Sequence, residues 1–215
     1  MKIPMKFHAE RRRVLCAAIA LAGAIAMPAR GADESAEAVI APVRAYCDAL
    51  LDVMKRATQL GVKGRYDKLA PVFAATFDLA AMTRISVGTQ WTSLPPATQT
   101  ALIDAFTRMT IATYASRFDG YSGERFEIDP TVETRSAGRI VNTRLIKSDG
   151  GVVVLNYLMR MSDGKWKVVD IYLTGTISEL ATRRSEFSSI LDSGGPQALI
   201  ESLRQQTDKL LRGAA

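Results

Sequence analysis

The chain has 215 residues, 47% of them hydrophobic and 23% charged, which excludes a largely disordered or collagen-like polypeptide. Its 28 Lys and Arg against 22 Asp and Glu give a formal charge of +6, with one His and two Cys. That excess of basic residues invites a nucleic-acid or anionic-surface reading, which depends on where the charges sit.

They sit at the start. Lys2, Lys6, Arg11, Arg12 and Arg13 precede an uncharged run over 14–27, shorter than the roughly 20 residues that span a bilayer. A basic head, a short apolar run and small residues such as Ala29 and Gly31 predict a secretory signal peptide over 1–31. Cleavage there removes six basic residues and one acidic residue, together with His8 and Cys16. The remaining domain, 32–215, is close to neutral, has no histidine and keeps only Cys47. This excludes a His-based triad, a His zinc site and an intramolecular disulfide, and withdraws the nucleic-acid reading. Cys47 fits a buried helical position better than a reactive thiol.

Residues 33–60 predict a long helix, with Val39, Ile40, Val43, Cys47, Leu50, Leu51 and Met54 at three- and four-residue spacing and Gly61 and Gly64 ending it. Helices follow at about 65–76 and 78–87, the latter closed by Gly88. Pro95 and Pro96 start another over about 96–118. The period then becomes two, predicting strands at about 125–134, 139–147, 152–161 and 166–173 joined by short hairpin turns. Two helices, about 177–191 and 195–212, flank Ser193-Gly194-Gly195-Pro196. The expected architecture is α+β: a four-stranded antiparallel meander packed against N-terminal and C-terminal helices.

The strand at 152–161 is apolar on both faces. Val153, Leu155, Tyr157, Met159 and Met161 alternate with Val152, Val154, Asn156, Leu158 and Arg160. It is therefore covered on both sides, or covered on one and lining a cavity on the other. Val141, Thr143 and Leu145 from one neighbour and Val169, Ile171 and Leu173 from the next extend the apolar face, and the helices add Met82, Ile85, Trp91, Phe106, Met109 and Tyr114. A filled core and a cavity for a long apolar ligand have the same periodicity, so both readings stand. The candidate lining of the cavity is Met82, Ile85, Trp91, Phe106, Met109, Tyr114, Val141, Leu145, Val153, Leu155, Tyr157, Met159, Val169 and Ile171.

Catalytic material is scarce. An isomerase or dehydratase would use Asp170 with Tyr157, and Tyr172 nearby; the alternative is that Asp170 bonds locally and the tyrosines pack. No metal-ligand spacing and no phosphate-cradling glycine loop occurs.

Several segments in order resemble one family. They are Arg65-Tyr66-Asp67-Lys68-Leu69-Ala70-Pro71 with Phe77-Asp78, Gly88 with Trp91, Phe106 and Tyr114, and Gly123-Glu124. Trp166-Lys167-Val168-Val169-Asp170-Ile171, Gly175-Thr176-Ile177-Ser178, Arg184-Ser185-Glu186-Phe187 and Gly194-Gly195 follow. The chain resembles the MlaC family over about 40–210, also called the toluene-tolerance or auxiliary-transport family. The resemblance implies a periplasmic carrier of phospholipid, with bound lipid and no other cofactor. It also implies two partners: an inner-membrane ABC transporter complex with its substrate-receiving subunit, and an outer-membrane lipoprotein complex. Residues 170–184 also look like the HpnM branch, which implies a hopanoid-type pentacyclic lipid as alternative cargo.

Overall fold

The computed structural model describes residues 35–213; the expected signal peptide lies outside them. Helix α1, Ala36–Lys55, begins where the Ser35 hydroxyl accepts the Ala38 amide at 3.2 Å, with Glu37 in its first turn and Lys55 in its last. Its buried stripe runs Val39, Ile40, Val43, Tyr46, Cys47, Leu50, Val53 and Met54. The helix stops at Arg56, five residues before the glycine expected to end it, and α2, Ala57–Thr76, starts at once. Gly61, at φ 59° and ψ 175°, breaks α2 near its start, whereas Gly64 remains helical.

A buried arginine sets this corner. Arg65 donates from Nε to the Ala115 carbonyl at 2.7 Å and from Nη1 to the Ala57 carbonyl at 2.9 Å. It ties the start of α2 to the last turn of α4, Pro96–Arg117. Ala115 is among the carbonyls that a helix end leaves without an internal partner, so a charged donor fits there. Between α2 and α4 lies α3, Leu79–Val87, where Asp78 accepts the Ala81 amide at 2.9 Å, followed by a 3₁₀ turn over Gly88–Ser93.

The sheet comprises β1 (Arg125–Arg135), β2 (Gly138–Ile146), β3 (Val152–Ser162), β4 (Lys165–Leu173) and β5 (Ile177–Ser178), antiparallel in that order. The expected meander is present with a two-residue fifth strand. Then comes α5, Glu179–Leu211, broken at Gly195 (φ 68°) where the two C-terminal helices were expected to part.

Helices pack against the inner face of the sheet, over Val141, Tyr157, Met159, Val168 and Ile171. A smaller cluster of Ile140, Leu158 and Val169, with Ala81 and Tyr172 against it, covers part of the outer face. Strict alternation in β4 fails at one place. Leu158 pairs with Asp170 but Met159 pairs with Val168, so Val169 is the extra residue of a β-bulge. The bulge puts Val168 on the inner face in place of the expected Val169, which joins the outer cluster.

Arg65→Met removes both charged donors and leaves two buried carbonyls without them. Urea denaturation followed by circular dichroism is expected to show a loss of about 3 kcal/mol.

Candidate functional site

The inner face of the sheet is not filled along its whole length. Around the end of β2, the start of β3 and the end of β4, the helix layer runs out: Met54 is in the last turn of α1, and Tyr114 and Arg117 are in the last turn of α4. A cleft of about 630 Å³ opens there, within the roughly 300–1,000 Å³ typical of ligand sites. Its apolar wall consists of Met54, Tyr114, Phe118, Leu145, Val153, Leu155 and Leu173, and its polar rim of Arg117, Asp119, Ser122, Glu124, Lys147 and Glu179.

The strand residues reach it by simple pairing. Leu145 faces Val153, and Leu155 faces Leu173, so all four lie side by side on the inner face. Leu173 is 37% exposed and pairs with Ile177, 54% exposed, at the edge of the same opening. Apolar surface left accessible to this extent costs free energy in water, about 25 cal/mol for each Å² that a ligand could cover.

Of the fourteen candidate lining residues, Tyr114, Leu145, Val153 and Leu155 bound the cleft. Met82, Phe106, Met109, Val141, Tyr157, Met159 and Ile171 are in the packed core. Ile85 and Trp91 are half-buried against that core, and Val169 lies beyond the sheet on its outer face. Sequence reasoning missed Met54, Phe118 and the charged rim. Phe118 was visible as the last apolar position of its predicted helix, whereas Met54 was not, because that helix was expected to run on to residue 60.

Behind Tyr114 is a floor of aromatic rings. The Tyr46 ring meets those of Tyr114 and Tyr157 edge-on, each at 6.0 Å between centroids, and that of Phe77 at 4.9 Å. Tyr46 is fully buried, and its hydroxyl lies near Tyr114 without reaching hydrogen-bond geometry. Burial, then the neighbouring Tyr114 and Tyr157, hold its phenol well above the ordinary range. Burial also pushes the Cys47 thiol up to about 12, so it stays a protonated packing group.

Asp170 and Tyr157 do not converge. Tyr157 pairs with Ile171 and belongs to the inner core, whereas Asp170 pairs with Leu158, one position out of phase and on the opposite face. Asp170 accepts from the Ile171 amide at 2.8 Å, the Ser178 hydroxyl at 2.5 Å and the Leu180 amide at 3.2 Å. It organises the start of α5, as the local-bonding alternative expected. Among the described residues no group of His, Cys, Asp or Glu could hold a metal ion, and no helix is long and apolar enough to cross a membrane.

Two comparisons with known proteins bear on this geometry. The profile of the MlaC protein family matches residues 44–205. No curated protein matches the chain in sequence. Among solved structures, the chain is similar to the phospholipid-binding protein from Ralstonia solanacearum, solved in complex with a phospholipid. The two are 21% identical with a TM-score of 0.70, over 80% of this chain and 98% of that one, and this likeness is one of fold.

The orphaned Tyr46 hydroxyl carries its desolvation cost without a bond. Tyr46→Phe, which keeps the ring, is expected to stabilise the protein by about 1 kcal/mol, read as a higher thermal midpoint in calorimetry.

Proposed function

The chain belongs to the MlaC family, and from that premise we propose that it is a lipid carrier which shields the apolar part of a phospholipid in the cleft beneath the sheet. The observation that carries this reading is the cleft itself, with an apolar wall provided by four strand residues and three helix-end residues and a charged rim where it opens. Each CH₂ of an acyl chain moved from water onto that wall contributes about 0.8 kcal/mol. The phosphate stays at the opening, where Arg117 and Lys147 are both exposed and carry the complementary charge. The structural relative from Ralstonia solanacearum, with its bound phospholipid, supports the assignment of ligand class.

The rest of the reading follows the family. Export by residues 1–31 places the carrier in the periplasm. There it moves lipid between an inner-membrane ABC transporter complex and an outer-membrane lipoprotein complex. Tight shielding of a lipid requires such partners, because a molecule bound by its whole apolar length leaves slowly unless another site receives it. A cleft of this kind has no reacting groups to offer. Its half-buried carboxylates, Glu124 and Glu179, pair with no nucleophile or base, and Asp170 is spent on the turn into α5.

Leu155 lies on the cleft wall and is only half-buried, so an arginine there fills and charges the site at little cost to the core. The mature protein is expected to withdraw acyl-labelled fluorescent phospholipid from vesicles. Leu155→Arg is expected to reduce uptake at least about tenfold with an unchanged unfolding midpoint, since burying a charge against acyl chains costs more than 1.4 kcal/mol. Equal uptake by both proteins contradicts the assignment of the site. A pentacyclic lipid in place of phospholipid, in extracts of the protein from its own cell, moves the cargo to the hopanoid class.

A further inference from the structure

The charged rim contains one group that the carrier reading leaves unused. Glu179 is the first residue of α5 and lines the cleft beside Leu173. Its side chain is only 20% exposed, whereas Arg117, Asp119 and Lys147 around the same opening are exposed. It therefore sits at the boundary between apolar wall and polar mouth.

Nothing in the fold uses this carboxylate fully. Arg183, one turn along α5, forms an ion pair with it at 3.8 Å, too long for a hydrogen bond, and makes its hydrogen bond to Glu186 at 3.1 Å instead. Among the described residues Glu179 accepts no hydrogen bond. The start of α5 is capped by Ser178, which takes the Ala181 amide at 3.0 Å, and by Asp170, which takes the Leu180 amide. An acidic residue favouring the helix dipole would do so from solvent at less cost. The other half-buried carboxylate of the rim, Glu124, is already engaged by the Ser122 amide at 2.6 Å. Desolvation holds the Glu179 carboxyl above the usual carboxylate range, with Arg183 and then Arg117 opposing the shift.

We propose that Glu179 is a specificity-determining residue of the cleft: it accepts a hydrogen bond from a donor group, hydroxyl or ammonium, in the head of the bound lipid. This rests on the lipid-carrier reading and deepens it by naming the chemistry the cargo must present. A carboxylate whose acceptor capacity is open in a half-dry site gains most from a donor and loses most from a ligand that covers it without one. A lipid with a quaternary ammonium head brings the same charge as a primary ammonium but has no N–H to give.

That pair provides the test. Vesicles of dioleoyl phosphatidylcholine are doped with acyl-labelled choline, ethanolamine or glycerol phospholipid, and equilibrium uptake by the mature protein is measured. The expected result is at least about tenfold preference for the ethanolamine over the choline lipid, as for a hydrogen bond to a charged acceptor. In Glu179→Leu the two are expected to bind alike. Glu179→Gln keeps an acceptor without the charge and serves if the leucine variant fails to fold; it is expected to reduce the ethanolamine preference. Preference for the glycerol lipid as well, retained in Glu179→Gln, identifies a hydroxyl as a sufficient donor. Equal uptake of the ethanolamine and choline lipids by the unmodified protein, or a preference that survives in Glu179→Leu, overturns the proposal. Uptake of none of the three overturns the carrier reading and this one with it.

Discussion

Leu145, Val153, Leu155 and Leu173 extend the apolar inner face of the sheet past the last turns of α1 and α4, so that the strands offer more hydrophobic surface than the helices cover. A folded chain ordinarily buries such a face, and leaving it open costs free energy in proportion to the area exposed. The uncovered length is what makes the cleft, and the rest of the domain holds it in place. Arg65 anchors the end of α4 to the start of α2, and Asp170 fixes the point where α5 leaves the sheet. Deeper along the same face, Val141, Tyr157, Met159 and Ile171 are fully packed and give the open end a rigid floor.

Much of this was legible from periodicity. The two-faced apolar character of 152–161 has both of its possible explanations in the structure: Leu158 is buried on the outer face, while Val153 and Leu155 line a cavity on the inner one. The division of the inner face into packed and open halves was not legible, because Met159 and Leu155 belong to the same alternation and differ only in whether a helix lies opposite. The bulge at Val169 was hidden for a related reason. Trp166-Lys167-Val168-Val169-Asp170-Ile171 contains two adjacent valines, and sequence cannot say which of them faces inward once the pairing slips by one. The early end of α1 at Arg56 likewise carries no glycine or proline to mark it; just beyond it the Ala57 carbonyl accepts from Arg65, eight residues away.

Charge has two distinct roles in this chain. The formal +6 belongs mainly to residues 1–31, and what remains is nearly neutral. Within the folded domain the charges that matter are few and local. Arg117 and Lys147 stand exposed at the cleft opening, and Glu179 lies half-buried with an acceptor left open. Net charge therefore says little about the ligand, whereas the placement of three side chains at an apolar edge says a good deal. A head that combines a phosphate with an N–H or O–H donor has both a group for the cations and a group for the carboxylate.

The central claim is that the open end of the sheet is closed by lipid. Native mass spectrometry of the protein, purified without detergent and coupled to lipid extraction, tests it most directly. The account predicts a mass increment of one lipid per protein, removed by Leu155→Arg. Only the bare polypeptide mass, even after incubation with phospholipid vesicles, would contradict it.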